Sequence, residues 1–382
     1  MRLAPVLSSA YLGWRDRLAG NAAFRRWAGR FPLTRWIARR HARALFDLNA
    51  GFVYSQVLQA CVQLDLFAPL AKGAQGTAAL ALHCRLSPER VLVLLRAAAA
   101  LRLIAPAGPD RFRLGALGAA LLDNPAVLGM VRHHALFYRD LLDPVQLLAS
   151  GGPGQLAEYW AYVGTSPDNA GPAAARVADY SALMSASQSL VADQILDAYS
   201  MAPHRMLLDV GGGEGVFARA ALQRHPRLQA SVFDLPAVAA RVAMAPGAAA
   251  LATRLRGIGG DFRAGPLPAG ADLITLVRVL HDHDDDVVRA VLRAARQALP
   301  PGGVLLVAEP LAETPGAEPM GHAYFGLYFL AMGSGRPRSF AVYRDLLAEA
   351  GFTRVRQRRT AIPLQCSLIE AHVGDRGDVT FG

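Results

Sequence analysis

The chain has 382 residues, of which 53% are hydrophobic and 18% are charged, and its formal net charge is +10. This composition excludes a disordered protein, because a disordered chain lacks the apolar side chains that offset the entropy of ordering. The three cysteines, Cys61, Cys84 and Cys366, are far apart and odd in number, so they predict neither a disulfide framework nor a metal site. Every apolar run is interrupted before about 18 residues, so we expect no membrane-spanning helix and a cytoplasmic protein.

The positive charge is concentrated in an N-terminal arm, residues 1–43. That segment contains ten arginines and a single acid, Asp16, so it carries +9 of the net +10. Apolar side chains recur among the arginines at intervals of three and four, as on an amphipathic helix with a basic face; they are Trp14, Leu18, Phe24, Trp27, Phe31, Leu33, Trp36 and Ile37. Two interpretations stay open: peripheral contact with an anionic inner or photosynthetic membrane, or packing on the protein itself or a second copy. We expect no nucleic-acid partner, because a charge run alone specifies little and the rest of the chain is close to neutral.

Residues 44–195 predict a helical domain. A helix over 42–67, a second helix that starts at Ser87-Pro88-Glu89, and a hairpin around Gly108-Pro109-Asp110 have the outline of a winged helix. The recognition helix of that outline, 88–104, is apolar nearly all round, whereas a helix that reads bases needs an exposed polar face. We therefore expect it in a core or an oligomer interface. Farther along, His133 and His134 point about 100° apart on a helix, which favours a structural role.

Strand and helix patterns alternate through residues 196–382. MLLDVGGGEGVFARAAL indicates a buried strand, a glycine-rich turn and a helix, so that a cofactor can lie against bare backbone at a helix N-terminus. A second strand ends in Asp234, about 20 residues past the turn, where a carboxylate can accept hydrogen bonds from ribose hydroxyls. GIGGDF, ADLITLVRVL and VLLVAEP follow as further strands. This order predicts a doubly wound α/β sheet.

Five motifs in order, DVGGGEG, FDLP, GGDF, VLHDHDDD and PGGVLLVAE, make the chain resemble the S-adenosylmethionine-dependent O-methyltransferases of the small-molecule, caffeate type. The resemblance spans about residues 42–372. It implies a Rossmann-like methyltransferase domain over 196–382, preceded by an all-α, winged-helix-like domain that dimerises, and S-adenosylmethionine as the cofactor. Within the family, the arm and the run AYFGLYFLAMGSGRPRS resemble the carotenoid O-methyltransferases that act on hydroxyneurosporene or demethylspheroidene. The bacteriochlorophyllide C-20 methyltransferases are the competing branch.

The resemblance also assigns cofactor residues. It implies that Gly211 and Gly213 form the turn under the methionine portion, that Asp234 holds the ribose and that Asp261 with Phe262 meets the adenine. Two further positions belong to the implied set, Asp209 at the end of the first strand and Arg278 on the fourth. Arg278 stands where the plant enzymes carry a lysine, and pairing with Asp261 or Asp284 is an equally open role for it.

His281 matches the family's catalytic histidine, which takes the hydroxyl proton of the acceptor. Glu309 matches the acid that orients this histidine, and Asp282 follows directly and can join the same network. Two departures from the family pattern stand out: Pro337 replaces a second orienting glutamate, and His283 replaces a tryptophan and is the alternative working histidine. The cluster HDHDDD lacks a recognised metal spacing, so we expect no metal.

The run MGHAYFGLYFLAM concentrates aromatic and thioether side chains that predict the wall of an elongated apolar acceptor pocket, with Met184 closing the opposite side; the wall residues are Met320, Tyr324, Phe325, Tyr328 and Phe329. The competing interpretation is an ordinary core helix. The predicted reaction is methyl transfer to the tertiary hydroxyl of an acyclic hydroxycarotenoid by a homodimeric enzyme. Bacteriochlorophyll or polyketide-type methylation and an inactive, cofactor-binding relative are the alternatives.

Overall fold

The computed structural model of the chain describes residues 9–157, 188–245 and 247–374, which belong to two units, Met1–Leu122 and Asp123–Gly382. The boundary predicted after residue 195 therefore falls inside the second unit. The reason is a helix at Pro125–Asp140 that belongs with residues of the C-terminal half. Its His133 Nε2 lies 2.8 Å from the Tyr328 hydroxyl, and its His134 Nε2 lies 2.7 Å from the Tyr324 hydroxyl.

The first unit is helical with a small sheet, and the predicted winged-helix outline is confirmed. Its helices are α1 (Ser9–Gly20), α2 (Ala22–Arg30), α3 (Arg35–Gln63), α4 (Phe67–Ala71), α5 (Thr77–Cys84), α6 (Pro88–Ala100) and α7 (Ala116–Ala119). Its strands β1 (Gln75–Gly76), β2 (Ile104–Pro106) and β3 (Arg111–Leu114) form an antiparallel sheet in the order β1-β3-β2.

Two boundaries in this unit differ from the sequence-based ones. Helix α3 starts at Arg35, so the arm predicted to end at residue 43 runs without a break into the next helix. No proline or glycine interrupts RWIARRHARALFDLNA, and its arginines and alanines are good helix formers. Helix α6 starts as predicted, with the Ser87 Oγ accepting from the Arg90 N–H, but it ends at Ala100 because Ile104 already pairs with Leu114 in the sheet.

The second unit is built on a seven-stranded sheet, which contains the five predicted strands of the doubly wound sheet and two further strands near the C-terminus. Its order is β6-β5-β4-β7-β8-β10-β9, with every pair from β6 to β8 parallel and β10 antiparallel to both of its neighbours. The strands are β4 (Met206–Val210), β5 (Gln229–Asp234), β6 (Leu255–Gly259), β7 (Leu273–Val277), β8 (Val304–Glu309), β9 (Thr353–Arg358) and β10 (Ser367–His372). The chain leaves β4 toward one side and resumes with β7 on the other, so the strand order reverses between these two strands. Open α/β sheets bind their ligands outside the carboxyl ends of the strands at such a point.

Helices cover both faces of this sheet. The helices of this unit are α8 (Pro125–Asp140), α9 (Pro144–Ser150), α10 (188–198), α11 (Val216–Arg224), α12 (Pro236–Ala239), α13 (Asp285–Ala298), α14 (Gly326–Met332) and α15 (Phe340–Glu349). Those that pack on the sheet through its two apolar cores are α10 and α11 in one core and α13 and α15 in the other. Short 3₁₀ turns lie at Ala240–Ala243, Ala248–Leu251 and Leu280–Asp282, and a π-helix at Met320–Phe325 leads into α14. Strands β7 and β8 are buried throughout, which explains their uninterrupted apolar sequence. Within the described residues, no helix is both long and apolar enough to cross a membrane.

Candidate active site

A cavity of about 880 Å³ opens at the carboxyl ends of β4, β5 and β7, where the strand order reverses. Its lining brings together most of the predicted site: Gly211, Gly213, Asp234, Asp261, Phe262, Arg278, His281, Asp282, Met320, Tyr324, Phe325, Tyr328 and Phe329. Asp209 and Glu309 do not line it, and Met184 lies outside the described residues. The motifs and the aromatic run, which are far apart in sequence, therefore share one pocket.

The glycine-rich turn after β4 forms one end of the cavity. Gly211 has φ +67°, and a Cβ there would lie 2.7 Å from a methyl group of Val279, so a side chain at this position meets both strain and a clash. The space in front of Gly213 is open, since nothing lies within 4 Å of the position of its Cβ. The Gly213 N–H donates to the Asp234 carboxylate at 2.8 Å, which fixes the turn against the end of β5.

Two carboxylates and a ring stand beside this turn. Asp234 also accepts from the Leu235 N–H at 2.7 Å, and burial raises its pKa although both amides oppose that effect. Asp261 is held by Arg263 at 2.8 Å, and this contact lowers the pKa of Asp261. Phe262 meets the edge of His283, with ring centroids 5.5 Å apart. Bare backbone, carboxylates and a ring fit a ribose and a flat heterocycle. Sequence reasoning missed Arg263, whose only signal is its place two residues after Asp261.

Asp209 differs from its predicted role of touching the cofactor. Its side chain is fully buried beneath the turn, where Oδ1 accepts from the Thr275 hydroxyl at 2.7 Å. Its Oδ2 has no hydrogen-bond partner among the described residues and lies 2.4 Å from the position of a Cβ at Gly212. Burial raises the pKa of Asp209 to about 7. This residue supports the turn from below instead of facing the cavity.

Arg278 follows β7 in a left-handed conformation, with φ 57°, which is strained for a residue with a side chain. Its N–H donates to the Ala308 carbonyl oxygen at 2.8 Å, and its half-buried side chain lines the cavity. The alternative role, pairing with Asp261 or Asp284, is not observed. Asp261 is paired with Arg263, and the Asp284 carboxylate accepts from the Gly335 N–H.

His281 lies between two carboxylates at the floor of the cavity. Its Nδ1 is in hydrogen-bond contact with Glu309 Oε2, and its Nε2 lies 3.1 Å from Asp282 Oδ1. The ring is buried, and burial alone would lower its pKa. The charges of Asp282 and Glu309 outweigh that effect and raise the pKa of His281 to about 9. The two carboxylates therefore favour the protonated form of the ring.

His283, the alternative working histidine, is placed differently. It packs against Phe262 in the cavity, and burial lowers its pKa. Glu309, the acid expected to orient the catalytic ring, is in contact with His281. Among the described residues, no group of three or more histidine, cysteine or acidic side chains is arranged to hold a metal ion.

The other end of the cavity is an aromatic wall formed by the π-helix and α14. Phe325 and Phe329 stack with centroids 5.4 Å apart, and Phe329 lies 5.3 Å from the His281 ring. The two tyrosines of the wall are tied to α8 by His133 and His134. Both histidines thus have the structural role predicted for them, although nothing in the sequence pointed to tyrosines about 190 residues away as their partners.

The fold and the site define the class of the protein: an α/β transferase with a nucleoside-type cofactor end, a histidine at the floor and an apolar acceptor end. The comparisons with known proteins identify the family. Residues 138–353 match the O-methyltransferase domain and residues 46–124 match the O-methyltransferase dimerisation domain. The chain belongs to the O-methyltransferase family, as the motifs predicted, and the second match supports the predicted homodimer.

Individual relatives agree with this assignment. The chain is 43% identical over 342 residues to the demethylspheroidene O-methyltransferase of Cereibacter sphaeroides, covering 89% of each chain. It is 40% identical over 352 residues to the protein of the same name from Rhodobacter capsulatus, covering 90% of this chain and 86% of that one. Among solved structures, human N-acetylserotonin methyltransferase in complex with SAM is similar, with a TM-score of 0.72 and 26% identity over 87% of this chain and 98% of that one.

Proposed function

We propose that this protein transfers the methyl group of S-adenosylmethionine to the hydroxyl of an apolar, elongated alcohol, an acyclic hydroxycarotenoid of the demethylspheroidene type. The observation that carries the proposal is the position of His281 between a cofactor-like end and an aromatic wall of one cavity. The two demethylspheroidene O-methyltransferases that the chain resembles support the choice of acceptor.

The residues around the glycine turn would hold the cofactor. Gly211 and Gly213 present bare backbone to it, the buried carboxylate of Asp234 accepts from the ribose hydroxyls, and Phe262 with Asp261 flanks the base. Arg278 points a cation into the same cavity. When bound, the cofactor supplies an electrophilic methyl group on a sulfonium sulfur. The chain's own contribution is to align an acceptor oxygen with that methyl group and to take its proton.

His281 and Asp282 would receive that proton together. The raised pKa of His281 favours the protonated ring at neutral pH, so this histidine is poorly placed to remove a proton early in the reaction. A tertiary alcohol is itself a very weak acid, and its oxygen becomes acidic only as the new bond to carbon forms. We infer that the proton leaves late, to the pair that His281 Nε2 and Asp282 form at 3.1 Å. Glu309 keeps the ring oriented through Nδ1.

The acceptor end suits a molecule with few polar groups. The stacked rings of Phe325 and Phe329 form an apolar surface that leads to His281, and Met320 also lines the cavity. Alignment of the acceptor in such an apolar pocket would supply much of the rate. The hydroxyls of Tyr324 and Tyr328 already form hydrogen bonds with histidines of α8, so the substrate does not need polar groups to pair with them.

The N-terminal arm would bring the enzyme to an anionic membrane in which such an acceptor dissolves. Its tryptophans stay exposed, with 54% of Trp14, 51% of Trp27 and 60% of Trp36 accessible. Among the described residues, only Arg15 and Arg43 of this arm have a carboxylate within ion-pair distance. Exposed aromatic rings can lie among lipid headgroups, and guanidinium groups without a carboxylate partner can bind the lipid phosphates.

The test is methyl transfer from labelled S-adenosylmethionine, with demethylspheroidene in detergent beside N-acetylserotonin, a catechol and a chlorin. We expect label in the carotenoid. Label in another acceptor alone would discard the carotenoid and keep the methyltransferase. Tight cofactor binding without label in any acceptor would favour the inactive relative.

A further inference from the structure

A short segment far away in sequence, residues 334–338, forms hydrogen bonds to one side of the turn that carries His281. All four backbone carbonyls of residues 280–283 accept a hydrogen bond from this segment. Leu280 and His283 oxygens accept from the Arg338 guanidinium at 2.9 and 2.7 Å. The His281 oxygen accepts from the Arg336 N–H at 3.0 Å, and the Asp282 oxygen accepts from the hydroxyl of Ser334 at 3.0 Å.

Arg338 donates two of these four hydrogen bonds. Its side chain is fully buried, a costly place for a guanidinium unless its donors are paired. Besides the two carbonyls, it donates to Asp285 Oδ1 from Nε at 3.0 Å and from Nη2 at 2.7 Å, and it lies 6.0 Å from the ring centroid of Tyr343. The planar, forked guanidinium reaches both ends of the turn at once, which a lysine ammonium cannot do.

The opposite edge of the turn is held by Glu309. Its Oε1 accepts from the Val279 and Leu280 N–H groups at 3.0 and 2.8 Å, while Oε2 holds the ring of His281. The segment also approaches the turn closely at Gly335. A Cβ at this position would lie 2.3 Å from the His281 carbonyl oxygen, so there is no room for a side chain. One carboxylate therefore fixes the amides of the turn, and the 334–338 segment fixes its carbonyls.

We propose that residues 334–338 position the catalytic turn and that Arg338 is the positioning residue on which the placement of the His281 ring depends. The inference deepens the proposed function and rests on it for the role of His281. The ring has a single productive position relative to an aligned oxygen, and a misplacement of about 1 Å can cost about 100-fold in rate. Arg338 does not line the cavity, so it acts through the turn and not on the reactants.

The experiment compares Arg338→Lys with a matched control, Arg254→Lys. Arg254 also donates its guanidinium to backbone carbonyls, those of Leu222, His225 and Leu228 at 3.2 to 3.3 Å, but it does not line the cavity or touch the turn. Both variants are measured for Tm, for the Kd of S-adenosylmethionine, for kcat with the acceptor proposed above, and for the NMR signal of the His281 Nδ1 proton in ¹⁵N-histidine-labelled protein.

We expect Arg338→Lys to lower kcat about 10- to 100-fold with little change in cofactor Kd, and to shift or broaden the His281 signal. Arg254→Lys should leave kcat within about twofold and the signal in place, at a similar loss of Tm. Equal effects of the two variants on kcat and on the signal would overturn the proposal. If Arg338→Lys does not fold, Ser334→Ala removes one of the four hydrogen bonds and is judged by the same two readouts. The NMR signal needs no acceptor, so a failure of the carotenoid assignment leaves this test intact.

Discussion

Replacing Asp282 by asparagine should move the pH dependence of catalysis to lower pH. Asp282 Oδ1 lies 3.1 Å from His281 Nε2, and its charge is the largest of the influences that raise the pKa of His281. Asparagine keeps the size and an oxygen of the side chain but removes the charge. Burial, which lowers the pKa of His281, then works against Glu309 alone.

The expected shift follows from the distance. At 3.1 Å and an effective dielectric constant of about 20, two unit charges attract by about 5 kcal/mol, which corresponds to at most about 4 pKa units. The Asp282 side chain is 21% exposed, so solvent weakens this attraction, and a neighbouring opposite charge typically shifts a pKa by about 1–3 units. We expect the pKa of His281 to fall from about 9 to about 6–8 in the variant.

The assay is kcat/KM from pH 6 to pH 10, because this ratio reports the ionisations of the free enzyme. In the wild type it should rise with pH through a midpoint near 9, since neutral His281 is the form that accepts a proton. In Asp282→Asn the midpoint should lie lower, whereas the control Asp286→Asn, an exposed acid in the first turn of α13, should keep it. An unchanged midpoint in Asp282→Asn would refute the electrostatic argument. A wild-type midpoint below 6.5 would transfer the role of base to His283, whose pKa burial lowers.

Three further predictions concern His281, Asp209 and the N-terminal arm. His281→Gln should lower kcat about 100-fold or more while the cofactor Kd from calorimetry stays the same, and near wild-type activity would remove the base assignment. The carboxyl of Asp209 has an ordinary pKa of 3.8 and a folded pKa of about 7, so it binds an extra proton when folded and stability falls as pH rises through that window. Asp209→Asn lacks this titration, so its stability relative to the wild type should rise by a few kcal/mol from pH 4 to pH 8, measured by urea unfolding; equal pH dependence of the two proteins would contradict the argument. Deleting residues 1–34, which spares α3, should abolish sedimentation with anionic vesicles and leave activity on detergent-dispersed acceptor, and retained sedimentation would exclude the arm as the membrane contact.

The sequence predicts five strands of the sheet and the convergence of the motifs that end them, because both depend on local signals. Each motif of the second unit ends a strand, and the carboxyl ends of parallel strands meet at one edge, so Gly211, Asp234 and His281 converge once the strand order is known. The strands themselves are evident because buried parallel strands are almost purely apolar. The local apolar pattern and the position of each motif along the chain are therefore enough to predict these strands and their ends.

What the sequence does not predict depends on contacts between distant residues. The unit boundary is set by α8, whose two histidines bond tyrosines about 190 residues later, and no local pattern indicates such partners. The 334–338 segment could not be found in the sequence for a related reason, since its four hydrogen bonds to the turn end on backbone carbonyls, which every residue has. Pro337 stands where the resemblance implies a second orienting glutamate, and the structure places Asp282 and Arg338 at the same turn.

Two properties of His281, its fixed ring and its raised pKa, therefore have a common cause. The carboxylates on either side of His281 fix its ring, and their charges also raise its pKa to about 9. Such a site is ill suited to removing a proton before the reaction begins. It is well suited to holding an alcohol oxygen in line and taking the proton once that oxygen has become acidic. An alcohol far less acidic than a phenol loses little from the high pKa and gains from the alignment. The raised pKa of His281 thus agrees with a tertiary alcohol as acceptor, and under the proposal for residues 334–338 the rate depends on the placement of the turn by Glu309 and Arg338.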